Sequence, residues 1–146
     1  MITFNIYNYP NHSLTYSAKQ LKIYSNRFID LDIKNQLIAW DVAFADKIIV
    51  AYENDRLIGF FRYDLGDYKH NLYEAGTYVI PEYRKYGLGF SLWDKVFQLE
   101  KPELVYGHIE SIDGYFLYNK IKRTYPNVKY DFSMAANVLD NIAISA

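Results

Sequence analysis

The segment PEYRKYGLGFSL, Pro81 to Leu92, follows directly on LYEAGTYVI, Leu72 to Ile80, and the junction between them decides the fold. The first run is apolar, β-branched and aromatic, which predicts a strand that Pro81 ends. From Leu88 onward Leu88, Leu92, Val96 and Leu99 recur at helical spacing, which predicts an amphipathic helix with those four on one face. Between strand and helix lies Arg84 to Gly89, RKYGLG, with two glycines one residue apart and two cations. Glycine lets backbone N–H groups approach a ligand, and a helix N-terminus adds unpaired N–H groups and a partial positive charge. The junction therefore reads as an anion-binding corner suited to a diphosphate. It lacks both the Walker spacing and the three glycines of G-x-G-x-x-G.

Upstream, Lys47 to Tyr52 (KIIVAY) and Leu57 to Tyr63 (LIGFFRY) are β-rich runs separated by the polar turn Glu53 to Arg56, an antiparallel hairpin. Met1 to Tyr9 reads as a first strand closed by Pro10. Ser13 to Phe28 reads as a helix with Leu14, Ala18, Leu21 and Phe28 aligned, and Asn35 to Phe44 as a shorter one with Leu37, Trp40 and Phe44 aligned. Downstream, Lys101-Pro102 breaks the chain, Glu103 to Glu110 reads as a strand, and Ser111 or Asp113 caps a helix through Tyr125 that Pro126 ends. The tail offers closing strands, VKYDF and then ANVL or IAIS.

The chain of 146 residues suits one domain, residues 1–146, with 51% hydrophobic and 23% charged residues. Sixteen tyrosines are read as half-buried packing residues from a compositional bias rather than as a stacking surface. A net charge of −1 argues against a general nucleic-acid or membrane surface. With no cysteine, a disulfide framework, a thiolate metal site and a cysteine nucleophile are excluded. No metal site is expected, because His12, His70 and His108 are far apart in sequence and H-E-x-x-H does not occur. There is no membrane-spanning run and no secretion signal at Met1 to Pro10, so a cytoplasmic location is expected.

The pattern R-x-x-G-x-G at Arg84 to Gly89, preceded by V-x-P at Val79 to Pro81, resembles the acetyl-CoA motif of the GNAT superfamily of N-acetyltransferases. The resemblance covers Lys47 to Tyr125; Met1 to Asp46 matches only in its order of elements. It implies an α/β (mixed α+β) fold: a mostly antiparallel mixed sheet of roughly six to seven strands, with a splayed parallel pair and about four helices. It also implies acetyl transfer from acetyl-CoA to a primary amine on a small molecule, a lysine or a protein N-terminus. Cofactor contacts fall to Tyr78, Val79 and Ile80, whose backbone would pair with the pantetheine arm, and to Arg84, Lys85, Tyr86, Gly87, Leu88, Gly89 and Phe90 around the diphosphate.

Leu117-Tyr118 stands where family members commonly carry Leu-Tyr, which implies Tyr118 as proton donor to the leaving thiolate. Family members usually start that helix with Asn and end it with Gly-Phe; here Ser111 and Tyr125-Pro126 stand instead. For the base, Glu74 lies on the strand before the loop, although strict alternation from Val79 points it away from the cleft. His108, sharing a phase with Glu110, is the second candidate, and a water chain is the third. Acceptor recognition falls to Asp30 to Asp46, the hairpin turn near Asp55, and the tail. Pairing of two copies through an exposed strand or the tail is compatible with the sequence. The alternative function is a GNAT-fold binding or structural protein with weakened catalysis, against which the intact glycine loop argues.

Overall fold

A computed structural model of the chain describes residues 1–8, 28–40, 47–66 and 70–145. Strands β1 (Ile2–Asn8), β2 (Phe28–Ile29), β3 (Lys47–Glu53), β4 (Arg56–Leu65), β5 (Asn71–Val79), β6 (Leu104–Ile109) and β7 (Lys129–Met134) form one seven-stranded mixed sheet. Its order is β1-β3-β4-β5-β6-β7, with β2 added beside β4 in parallel. The described helices are α1 (Leu31–Trp40), α2 (Leu88–Glu100), α3 (Ile112–Thr124) and α4 (Ala136–Ser145).

The pairs β1–β3, β3–β4 and β4–β5 are antiparallel, and the pairs β5–β6 and β6–β7 are parallel. The hairpin turn is Asn54-Asp55, with Asn54 at φ 53°, a conformation that asparagine tolerates. β4 is buried without interruption from Leu57 to Tyr63, so both of its faces are covered. α2 covers one of them: the Trp93 ring lies 4.6 Å from Phe61, and Leu88 borders Gly59.

Four expectations change. α1 begins at Leu31 rather than Asn35, and fully buried Ile33 anchors it; Phe44 lies outside the described residues. Of the helix expected over Ser13 to Phe28, residues 13–27 lie outside the described residues, and Phe28 itself belongs to β2. Leu99 faces solvent at 54% exposure, because α2 turns Glu100 toward the sheet, where it accepts from Tyr63 Oη at 2.7 Å and Lys47 Nζ at 2.9 Å. The buried face of α2 is Leu88, Leu92, Trp93, Val96 and Phe97. In the tail, β7 forms as expected, but ANVLDNIAIS folds as α4 instead of strands, with Val138 buried. Its spacing of Val138 and Ile142 suits a helix face, and this outweighs β-branched content. Among the described residues no helix is long and apolar enough to cross a membrane.

Candidate functional site

β5 and β6 pair only at their first residues, Asn71 with Leu104, Leu72 with Val105 and Tyr73 with Tyr106. Beyond Tyr73, β5 stays bonded to β4 as far as Val79, and β6 stays bonded to β7 as far as Ile109. A wedge therefore opens between Glu74–Val79 and Gly107–Ile109. Backbone direction alternates along an antiparallel strand, and Ile80 N–H donates to Ile58 O at 3.0 Å on the β4 side. The backbone of Val79, and two residues earlier that of Thr77, consequently faces the wedge. Tyr78 and Ile80 direct their backbones to β4.

Glu74 sits at the apex of the wedge. A bulge opposite Arg62 and Tyr63, with Gly76 at φ 142°, inserts one residue into β5. That extra residue reverses the phase, so Glu74 lies on the same face as Thr77 and Val79 rather than opposite them. The Glu74 carboxylate accepts from the backbone N–H of His108 across the wedge and from Thr77 Oγ1 at 3.4 Å. Trp93 Nε1 donates to Thr77 Oγ1 at 2.9 Å, which leaves the threonine proton to Glu74. Burial pushes the Glu74 carboxyl up to about 7; the bonds from His108 and Thr77 work against the rise, and the nearby Glu110 charge adds to it.

The other two candidates lie on β6 and α3. The His108 side chain is exposed, with Nδ1 at 2.7 Å from Ser133 Oγ, so this residue meets Glu74 through its backbone alone. Tyr118 is half-buried on α3, its ring centroid 4.5 Å from Phe132 and 5.8 Å from Tyr130, with Lys122 Nζ 5.7 Å from it. The neighbouring Leu117, which the sequence reading left without a role, approaches the glycine loop: its Cδ2 lies 3.4 Å from where a Cβ on Gly89 would stand.

The loop itself begins with a 3₁₀ helix, Pro81–Tyr86, and Gly87 at φ 72° turns it into α2. No side chain caps the α2 N-terminus, and a Cβ built on Gly87 meets nothing within 4 Å. The α2 N-terminus is thus uncapped beside an open position at Gly87, features suited to an anion. Arg84 turns back to the strand end, where its Nε donates to Val79 O at 2.8 Å and its guanidinium lies 5.3 Å from the Tyr78 ring centroid. Tyr86 is 80% exposed beside the loop. Leu88 is core, and Phe90 is half-buried beneath Lys120, whose Nζ lies 4.3 Å from the ring centroid. The Lys85 side chain lies outside the described part of the structure. Among the described residues no group of three or more acidic or histidine side chains could hold a metal.

Residues 13–109 match the family model described as the acetyltransferase (GNAT) family. No curated protein sequence matches the chain. Among solved structures, a GNAT-family acetyltransferase from Streptococcus pneumoniae TIGR4 is similar with 16% identity and TM-score 0.45, over 100% of this chain and 87% of that one. The catalytic domain of a Tetrahymena histone acetyltransferase in complex with coenzyme A shows 17% identity and TM-score 0.43, over 72% of this chain and 66% of that one. An aminoglycoside acetyltransferase from an uncultured soil metagenomic sample shows 12% identity and TM-score 0.42, over 99% of this chain and 83% of that one.

Proposed function

The chain belongs to the GNAT acetyltransferase family, and on that footing we propose that it works as one domain that transfers an acetyl group from acetyl-CoA to a primary amine by direct attack. The acceptor is a small molecule, a lysine or a protein N-terminus. The observation that carries this reading is the β5–β6 wedge with the Glu74 carboxylate at its apex, where burial pushes the carboxyl up to about 7. A base with that value is half ionised near neutral pH and can take a proton from an attacking amine.

Acetyl-CoA, when bound, supplies an acyl thioester open to attack by an amine. The backbone around Gly87 to Gly89 and the α2 dipole are suited to its diphosphate. The outward-facing backbone of Thr77 and the N–H of Val79 offer an extended arm a strand edge, while the Val79 carbonyl already accepts from Arg84. Glu74, held by His108 N–H and Thr77, receives the amine proton. Tyr118 acts as the proton donor toward the leaving sulfur, supported by its half-buried place on α3 beside Leu117. With no cysteine in the chain, a cysteine thioester on the enzyme is not available.

Titration with coenzyme A followed by an amine-acceptor screen read by mass spectrometry tests this reading. A hundredfold excess of ligand over its Kd stabilises by about 2.7 kcal/mol, a rise of a few degrees in Tm for a chain of this size. No shift at millimolar ligand would overturn it. Tyr118→Phe is expected to lower kcat while leaving coenzyme A affinity intact; unchanged kcat removes Tyr118 from the proton-donor role.

A further inference from the structure

The end of the β3–β4 hairpin is bonded to the segment that carries the glycine loop. Arg56 grips two carboxylates at once. Its Nε and Nη2 reach Asp30 Oδ1 at 3.2 Å and Oδ2 at 2.5 Å, and its Nη1 and Nη2 reach Glu82 Oε2 at 3.2 Å and Oε1 at 2.9 Å. On the other side of the same turn, Glu53 Oε2 accepts from Tyr83 Oη at 2.7 Å. Glu82 and Tyr83 are consecutive residues of the 3₁₀ helix, and Gly87 follows that helix immediately.

From these bonds we infer that Arg56, with Glu53 beside it, is a positioning residue for the cofactor loop: it holds the 3₁₀ helix Pro81–Tyr86 against the hairpin so that Gly87 presents the α2 N-terminus to the diphosphate. Three physical points support the inference. A six-residue 3₁₀ helix exceeds the three to four residues such helices usually sustain, so it needs outside support. A guanidinium forks onto two carboxylates in a fixed plane, which fixes orientation as well as distance. Arg56 joins Glu82, 65% exposed, to the less exposed Asp30 in one three-charge network with two-pronged contacts, and such a network holds its members where an isolated exposed pair would not. What it holds in place is the 3₁₀ helix that leads into the glycine loop. Asp30 immediately precedes α1, so the same guanidinium ties the loop to the start of the segment expected to read the acceptor.

The inference rests on the acetyl-CoA reading, and the test separates the two. Coenzyme A is titrated calorimetrically into the wild-type chain, Arg56→Met, Glu82→Gln and the double variant, each well below its Tm. Arg56→Met is expected to weaken coenzyme A binding about tenfold and to raise KM for acetyl-CoA in step, with kcat at saturating acetyl-CoA changed far less. Glu82→Gln, at an exposed position that folding tolerates, is expected to weaken binding in the same direction. The double variant should be no worse than Arg56→Met, because both remove one interaction. Wild-type binding with unchanged affinity in both single variants overturns the clamp and leaves the acetyl-CoA reading standing. A lower Tm without a change in Kd assigns Arg56 to stability alone and also overturns it. No binding by the wild-type chain overturns the acetyl-CoA reading and the inference together.

Discussion

One strand, β5, has two unlike edges. Along β4 it is paired from Gly59–Val79 to Leu65–Leu72; along β6 it is paired for its first three residues and then released. Both edges expose the same kinds of backbone group, so the released edge leaves donors and acceptors that the sheet does not satisfy. Side chains take their place: the Glu74 carboxylate accepts the His108 N–H, and Arg84 Nε donates to the Val79 carbonyl. The closed edge thus supplies the scaffold, and polar side chains stand at both ends of the open edge, Glu74 at its apex and Arg84 at Val79. The proposed base is one of those two groups, so on that reading Glu74 both fills the apex of the wedge and would supply the chemistry.

Breaking that residue has the largest expected effect. Glu74→Gln is expected to lower kcat by about 10² to 10⁴, the range for losing a positioned base. In the intact enzyme kcat/KM should rise with pH up to about 7 and then level, since the ionised form acts; the variant should lose that inflection. The stability sign runs the other way. The folded state holds the Glu74 proton more tightly than the unfolded chain, whose value is near 4.5, so this group's contribution is present below 4.5 and is lost as pH rises through about 7. Thermal melts of Glu74→Gln should therefore depend less on pH across that window; an equal dependence in both proteins would remove the raised affinity.

Next in size is Gly76→Ala. It places a Cβ on a residue at φ 142°, a backbone conformation costing of order 1–3 kcal/mol for a non-glycine residue. Chemical denaturation should show that loss, and turnover should fall with it, because without the bulge Glu74 returns to the opposite face. Gly87→Ala is expected to do less to stability, roughly 1 kcal/mol for a left-handed residue, and to weaken coenzyme A binding by about tenfold, since its Cβ enters the open cradle. Unchanged affinity would move the diphosphate elsewhere. The smallest effect belongs to Thr77→Val, which removes a hydrogen bond to the ionised form of Glu74. The inflection in the pH profile should then move upward, and a downward move would contradict the assigned bond.

The sequence reading reaches the strands, the glycine loop and α2 because each carries a strong local signal: β-branched runs bounded by Pro81 and the Asn54-Asp55 turn, and buried residues at helical spacing from Leu88 to Val96. It names Glu74 as a candidate base but gives it the opposite phase, because strict alternation cannot foresee an inserted residue, although a glycine inside a strand is the local sign of a bulge. It takes the tail for strands because β-branched residues suit either structure and the core decides between them. Thr77 and Trp93 escape it for another reason. Their bond joins β5 to α2 across sixteen residues, and neither residue is unusual for its own element. Arg56 is hidden in the same way, its partners Asp30 and Glu82 each lying twenty-six residues off.

The bond between Trp93 and Thr77 has an optical consequence. The chain holds two tryptophans, Trp40 and Trp93, and the Trp93 indole is buried with its N–H one hydroxyl away from the Glu74 carboxylate. Tryptophan emission of a Trp40→Phe chain, excited at wavelengths where its sixteen tyrosines do not absorb, then comes from a single indole beside the titrating group. Its emission becomes a substrate-free gauge of that charge, readable in a cuvette before any acceptor is known.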